Sequence, residues 1–114
     1  MGLFDFLFNK SIVAQNAKEW TFLKAAKSGD FEEVKNGMKK GVNIDIRDRV
    51  GNSALCLAAC YHHFDICEFL LQNGADAFLT DSEGTTPFDM AYMVRVNNPE
   101  ILELFEKYKG KYKI

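Results

Sequence analysis

The sequence predicts an all-α protein, a solenoid of three helix-turn-helix units with an extra N-terminal helix. The first observation behind this is a period of 33 residues. Ala25-Ala26, Gly41 and Asp48 return in register as Ala58-Ala59, Gly74 and Asp81, and Gly51 and Leu55 answer to Gly84 and Phe88. A fixed period of this length marks stacked supersecondary units that cover one another's apolar flanks. The second is that apolar residues recur at helical spacing between turn residues within each unit, as Ile66, Phe69 and Leu70 do. The third is composition. With 47% hydrophobic and 26% charged residues, the 114-residue chain is globular rather than disordered, and a chain of this length buries roughly two-thirds of its unfolded surface.

Residues 1–16 are expected to form an apolar helical extension, and residues 17–114 the repeat domain, divided at 47 and 80. Leu3, Phe4, Phe6, Leu7 and Phe8 make the start unusually apolar, and Ile12 and Val13 continue the trend. The favoured reading is a helix packed on the first unit near Gly37. The alternatives are a segment ordered by a partner and an interfacial membrane anchor, although the stretch is short and lacks a basic face. Gly2 invites myristoylation, but Phe6 stands where that signal needs Ser or Thr.

In the first unit, Phe22 to Asp30 is expected to form one helix and Glu32 to Lys40 a second. Compared with the next unit, Lys24 replaces Leu57, Asn36 replaces Phe69 and Gly37 replaces Leu70. Polar residues on the outer side suit a terminal unit, because nothing stacks on it. Gly37 reads as a weakness of about 1 kcal/mol relative to alanine in a helix.

In the central unit, Asp48 and Gly51 suit a tight turn. Ser53 is placed to cap a helix carrying Leu55, Leu57, Ala58 and Ala59. A second helix is predicted over 64–72, ended by Gly74. The third unit has the stronger helix start, with Thr86 as N-cap and Pro87 at the first helical position, and Asn98-Pro99 repeats that logic. Two extra residues lie in its inter-helix turn, between Ala91 and Ile101. Glu106 replaces Leu71, giving this end a polar outer face too.

Asp81-x-x-Gly84-x-Thr86-Pro87-Phe88, Leu55-Cys56-Leu57-Ala58-Ala59, Gly74-Ala75-Asp76 and the opening Gly29-Asp30-Phe31-Glu32-Glu33-Val34 together resemble ankyrin repeats over about residues 17–109. Cys56 and Asp89 stand where the family often has histidine, His62 where it has glycine, and Arg95-Val96 where it has Gly-His. The resemblance implies partners met by the turn tips and the exposed side of the first helices. Carried onto this chain, the tips are Arg49, Val50 and Asn52, then Ser82, Glu83 and Thr85. The helix positions are Lys27 and Ser28, Cys60 and Tyr61, then Met93 and Val94. Tyr and Arg are residue types favoured at interface hot spots, whereas isolated exposed apolar residues are normal on any surface.

Cys56, Cys60, His62, His63 and Cys67 invite a zinc or redox reading, since Cys56 and Cys60 share a helical face. The competing reading places Cys56 and Cys67 in the packing and the histidines in a turn, so no metal or other cofactor is expected. No third group orients a Cys-His pair for nucleophilic chemistry, and no catalysis is expected. Three cysteines without a framework spacing fit a reduced, cytoplasmic setting. The net charge of −2 offers no field to recruit nucleic acid, and no stretch reaches the ~20 apolar residues of a membrane span. Lysines alternate with Tyr108 and Tyr112 in the tail, which nucleic acid could use, but lysines also complement a helix C-terminus. The expected function is a small monomeric binding module, an adaptor or inhibitor of another protein. Its alternatives are a bacterial immunity or antitoxin protein, the zinc or redox protein, and a self-associating structural protein.

Overall fold

The computed structural model describes residues 13–109, in which six α-helices lie in two rows. Helices α1 (Ala17–Ser28) and α2 (Phe31–Lys39) form the first hairpin, α3 (Ala54–Cys60) and α4 (Phe64–Gln72) the second, and α5 (Pro87–Met93) and α6 (Pro99–Tyr108) the third. The first helices touch in the order α1, α3, α5 and the second helices in the order α2, α4, α6. This is the expected all-α solenoid. The two extra residues of the third unit are taken up by a 3-10 turn at Val94–Val96.

Helices of seven residues, such as α3 and α5, do not hold in isolation because nucleation is unfavourable. Side-chain caps and packing fix them here. Ser53 Oγ accepts from the Cys56 amide, as expected, and Thr86 Oγ1 accepts from Asp89. Asp89 Oδ2 in turn accepts from the Thr86 amide, closing a capping box. The departure from histidine at Asp89 therefore leaves the turn tied to its helix. An equivalent box between Asn16 and Glu19 starts α1 at Ala17, earlier than the expected Phe22. Asn98 is the exception: it occupies the N-cap of α6 but makes no side-chain cap bond, so Pro99 at the first helical position carries that start.

Of the expected N-terminal helical extension, residues 1–12 lie outside the described residues, and 13–15 are not helical. The reason is backbone pairing. Val13 forms a parallel bridge with Arg47, and the Ala14 amide donates to the Arg47 carbonyl at 2.8 Å. Ala14 is buried at this contact.

Small and large residues divide the packing. Ala26, Ala54, Ala58, Ala59 and Ala91 are fully buried, which lets the first helices approach closely, while Val34, Ile66, Leu70, Leu71 and Ile101 fill the layer beneath. Each large aliphatic side chain buried there contributes about 1.5–3 kcal/mol. Aromatic pairs join the units: Phe31 meets Phe69 edge-on at 5.4 Å and Phe78 stacks on Phe88 at 5.5 Å, while Phe88 meets Phe105 edge-on at 6.1 Å within the third unit. Tyr108 is also buried, so this tail aromatic packs rather than offering a ring to nucleic acid. Gly37 is not the simple weakness its helical position implies. It is buried against Phe22, whose ring occupies the space a side chain would need.

His62 is the non-glycine residue with a positive φ (67°) among the described residues, in register with Gly29 at 89°. A β-carbon in this left-handed region costs roughly 1–2 kcal/mol. His62→Gly is therefore expected to stabilise the chain by about 0.5–1 kcal/mol after the added freedom of the unfolded glycine is subtracted. A rise in thermal midpoint would show it. Its neighbour does different work: His63 Nε2 donates to the Lys27 carbonyl at 2.9 Å, tying the start of α4 to the end of α1.

Asp45 joins the first two units through Oδ1, which accepts the Asp76 amide at 3.0 Å. Burial raises its pKa above the ordinary value, and the Asp76 carboxylate adds to the rise, against the lowering by that hydrogen bond. A raised carboxyl pKa contributes stability that is present below the unfolded value and lost as pH rises through the folded one. Asp45→Asn keeps the accepting oxygen and sheds the charge. The variant should melt at or above the native temperature at pH 7, and this difference should close on acidification through the carboxylate range.

Candidate functional site

The turn tips are built identically 33 residues apart. Asp48 Oδ1 accepts from the amides of Val50 and Asn52, and Asp81 Oδ1 from those of Glu83 and Thr85, at 2.8–3.0 Å. Each carboxylate thereby holds its turn rigid. The tips are stitched together: the Ser82 amide donates to the Val50 carbonyl at 3.1 Å, and Arg47 Nη1 donates to the Thr80 carbonyl at 2.9 Å. A row of tips fixed this way loses little conformational freedom when something docks on it.

Between the tips and the first helices lies an open groove of about 530 Å³. Trp20, Leu23, Lys24 and Lys27 line it from α1, Cys56, Leu57 and Cys60 from α3, and Met90 from α5. Asp48 and Asn52 close it at the tip, and Tyr61 at the end of α3. The lining is predominantly apolar with lysines at its rim.

Of the residues expected to meet a partner, the structure gathers Lys27, Asn52, Cys60 and Tyr61 around this groove. Lys27 Nζ lies 5.4 Å from the centre of the Tyr61 ring, which is 46% exposed. Arg49, Val50, Ser82 and Glu83 are exposed on the tips but are not part of the groove lining, and Thr85 is half-buried beside them. Ser28 is exposed at the end of α1, with its hydroxyl donating to the Ala25 carbonyl. Met93 is exposed, whereas Val94 is half-buried in the 3-10 turn and packs on the core. The expected open position of Val94 is thus corrected by the inserted turn.

Sequence reasoning missed Trp20, Lys24, Leu57 and Met90. The signal was present, because Lys24, Leu57 and Met90 occupy one register position of the 33-residue repeat and all line the groove. Lys24 is therefore a groove residue as well as an end-unit substitution. Tyr92 and Val96 were missed as well; both are exposed, and the Arg95 guanidinium lies 3.7 Å from the centre of the Tyr92 ring.

The cysteine-histidine set does not converge. Among the described residues, no group of three or more His, Cys, Asp and Glu side chains is placed to hold a metal ion. Burial pushes the Cys56 thiol up to about 12, helped by Cys60, Asp81 and Asp48, and burial also pushes Cys67 well above the ordinary thiol range. Both are thereby held toward the protonated form, which is a poor nucleophile. The Cys56 sulfur instead lies 3.6 Å from Asn52 Oδ1, tying helix to turn where the family often uses histidine. No described helix is long and apolar enough to cross a membrane.

Stacked helix hairpins, linked turn tips and a groove along the first helices define a helical-repeat scaffold. The family described as Ankyrin repeats (3 copies) matches residues 6–113, and this chain belongs to the ankyrin repeat family. It is 39% identical over 84 residues to an ankyrin repeat protein of Acanthamoeba polyphaga mimivirus, a match spanning 73% of this chain and 11% of that one. It is 34% identical over 87 residues to human protein phosphatase 1 regulatory subunit 27 (76% of this chain, 53% of that one). It is 36% identical over 67 residues to the ankyrin repeat protein YahD of Escherichia coli K12 (59% of this chain, 33% of that one). The chain thus spans between about a tenth and a half of the length of these relatives. Ankyrin repeats are protein-interaction modules and are generally non-catalytic.

Proposed function

We propose that this chain is a non-catalytic docking module that binds another protein through the groove between its turn tips and first helices, acting as an adaptor or inhibitor in the cytoplasm. The observation that carries the reading is the register series Lys24, Leu57 and Met90, which turns the repeat into one continuous lining rather than scattered surface residues. Tyr61 and Trp20 add large, partly exposed aromatic surface, the kind that anchors interfaces. Relatives as different as a phosphatase regulatory subunit and a viral repeat protein fit a scaffold whose target is set by side chains rather than by fold.

The test is co-precipitation from the source cell with mass-spectrometric identification, followed by affinity measurement with the purified partner. Leu57→Glu and Tyr61→Ala should each weaken binding at least about tenfold. Glu103→Gln, on the second-helix row, should leave it unchanged. A partner indifferent to both groove variants would overturn the reading.

A further inference from the structure

We propose that the groove's occupant is an acidic peptide segment of the partner, one in which a large apolar residue stands beside Asp or Glu. This deepens the docking reading above and rests on it.

The floor supplies the apolar half. Leu57, Cys60 and Met90 offer carbon and sulfur surface, and Trp20 and Tyr61 wall it at 38% and 46% exposure. Helix α3, Ala-Leu-Cys-Leu-Ala-Ala-Cys, carries no charge at all, so nothing on the floor repels a buried aliphatic or aromatic anchor.

The rim supplies the charge. Lys24 and Lys27 lie one turn apart on α1, both exposed and both bordering the groove. Spacing of three residues puts them on one face. The ion pairs among the described residues are Lys35 with Glu32 and Lys109 with Glu106, so neither rim lysine has a carboxylate partner among them. The anionic lining residue, Asp48, directs Oδ1 at two backbone amides of its own turn. The α4–α6 end of the second-helix row has the opposite character. Its pocket between α4 and α6 is bordered by Glu68, Glu100 and Glu103 against Lys107 alone. A negatively charged segment is therefore drawn to the groove and repelled from the α4–α6 pocket, which favours the groove side. A basic segment would meet the reverse.

The experiment selects random dodecapeptides displayed on phage against the intact chain. Affinities of the selected peptides are then measured by fluorescence anisotropy for the native chain, Lys24→Glu/Lys27→Glu and Leu57→Glu, with circular dichroism confirming that each variant is folded. The expected peptides carry Asp or Glu next to Leu, Met or an aromatic residue. The double charge reversal should weaken them at least about tenfold, and added salt should weaken native binding in the same direction. Peptides that lose affinity with Leu57→Glu but change less than about twofold on charge reversal would overturn the acidic preference and leave the groove standing. Peptides indifferent to every variant would overturn the groove as well. Two further results count against the proposal: light scattering that shows a dimer broken by Leu57→Glu, which assigns the groove to a second copy, and a Phe6→Asp/Leu7→Asp chain that binds the peptides about tenfold more tightly, which assigns it to the chain's own first residues.

Discussion

Gly37→Leu is expected to destabilise the protein by about 3 kcal/mol, although leucine is what the 33-residue register places there. Leu70 occupies the equivalent position in the central unit and is fully buried. Propensity points the same way, since glycine inside a helix costs about 1 kcal/mol relative to alanine. Packing reverses the sign. A β-carbon on Gly37 would stand 2.5 Å from Phe22 Cδ1 and 3.2 Å from Phe22 Cβ and Cγ. Phe22 is 1% exposed, so its ring has nowhere to retreat without opening the contact between α1 and α2. Overpacking of a closed site costs typically 1–3 kcal/mol even for a few added methylenes, and leucine adds four carbons. Urea titration should show a lower midpoint at unchanged slope. A midpoint at or above the native value would mean that α2 can shift outward freely, and that Gly37 is merely a weak helix residue.

Gly51→Ala should cost about as much, roughly 3 kcal/mol, while Gly84→Ala should cost only about 1 kcal/mol. The two glycines sit at equivalent places in successive turns, with φ of 97° and 84°. Both variants carry the left-handed penalty, roughly 1–2 kcal/mol, partly offset by the lost freedom of the unfolded chain. The neighbourhood separates them. A β-carbon on Gly51 would lie 2.8 Å from Asp81 Cα and 3.1 Å from Ser82 N, whereas Gly84 faces open space. Backbone cannot rotate away as a side chain can. The tips would have to part, losing the Ser82 to Val50 hydrogen bond, worth about 1 kcal/mol. Since that bond aligns neighbouring tips, Gly51→Ala should also weaken partner binding more than its stability loss alone accounts for. Equal losses for the two variants would show that the tips are not in tight contact.

The groove shows how much a repeat reveals and where it stops. Lys27, Cys60 and Tyr61 were legible because the period assigns a direction to each helix position, and the same period carries Lys24 to Leu57 and Met90. Trp20 was not legible. It lies in the turn of α1 that follows the Asn16 capping box, and its register equivalents, Ser53 and Thr86, are caps rather than exposed side chains. Val94 was misplaced for a related reason: the two inserted residues fold into a 3-10 turn and roll that position toward the core.

By itself the sequence determined the number of units, the cap at Ser53, the Thr86-Pro87 start and the bounds of α4, because turn chemistry and helical spacing act between residues close in the chain. Only the tertiary structure decided that Gly37 makes room for Phe22, that Gly51 lies against the next turn, and that two lysines with no carboxylate partner among the described residues border an uncharged floor. Those facts depend on distances between different units, and excluded volume and charge pairing across such distances are set by the stacking, which no local pattern encodes.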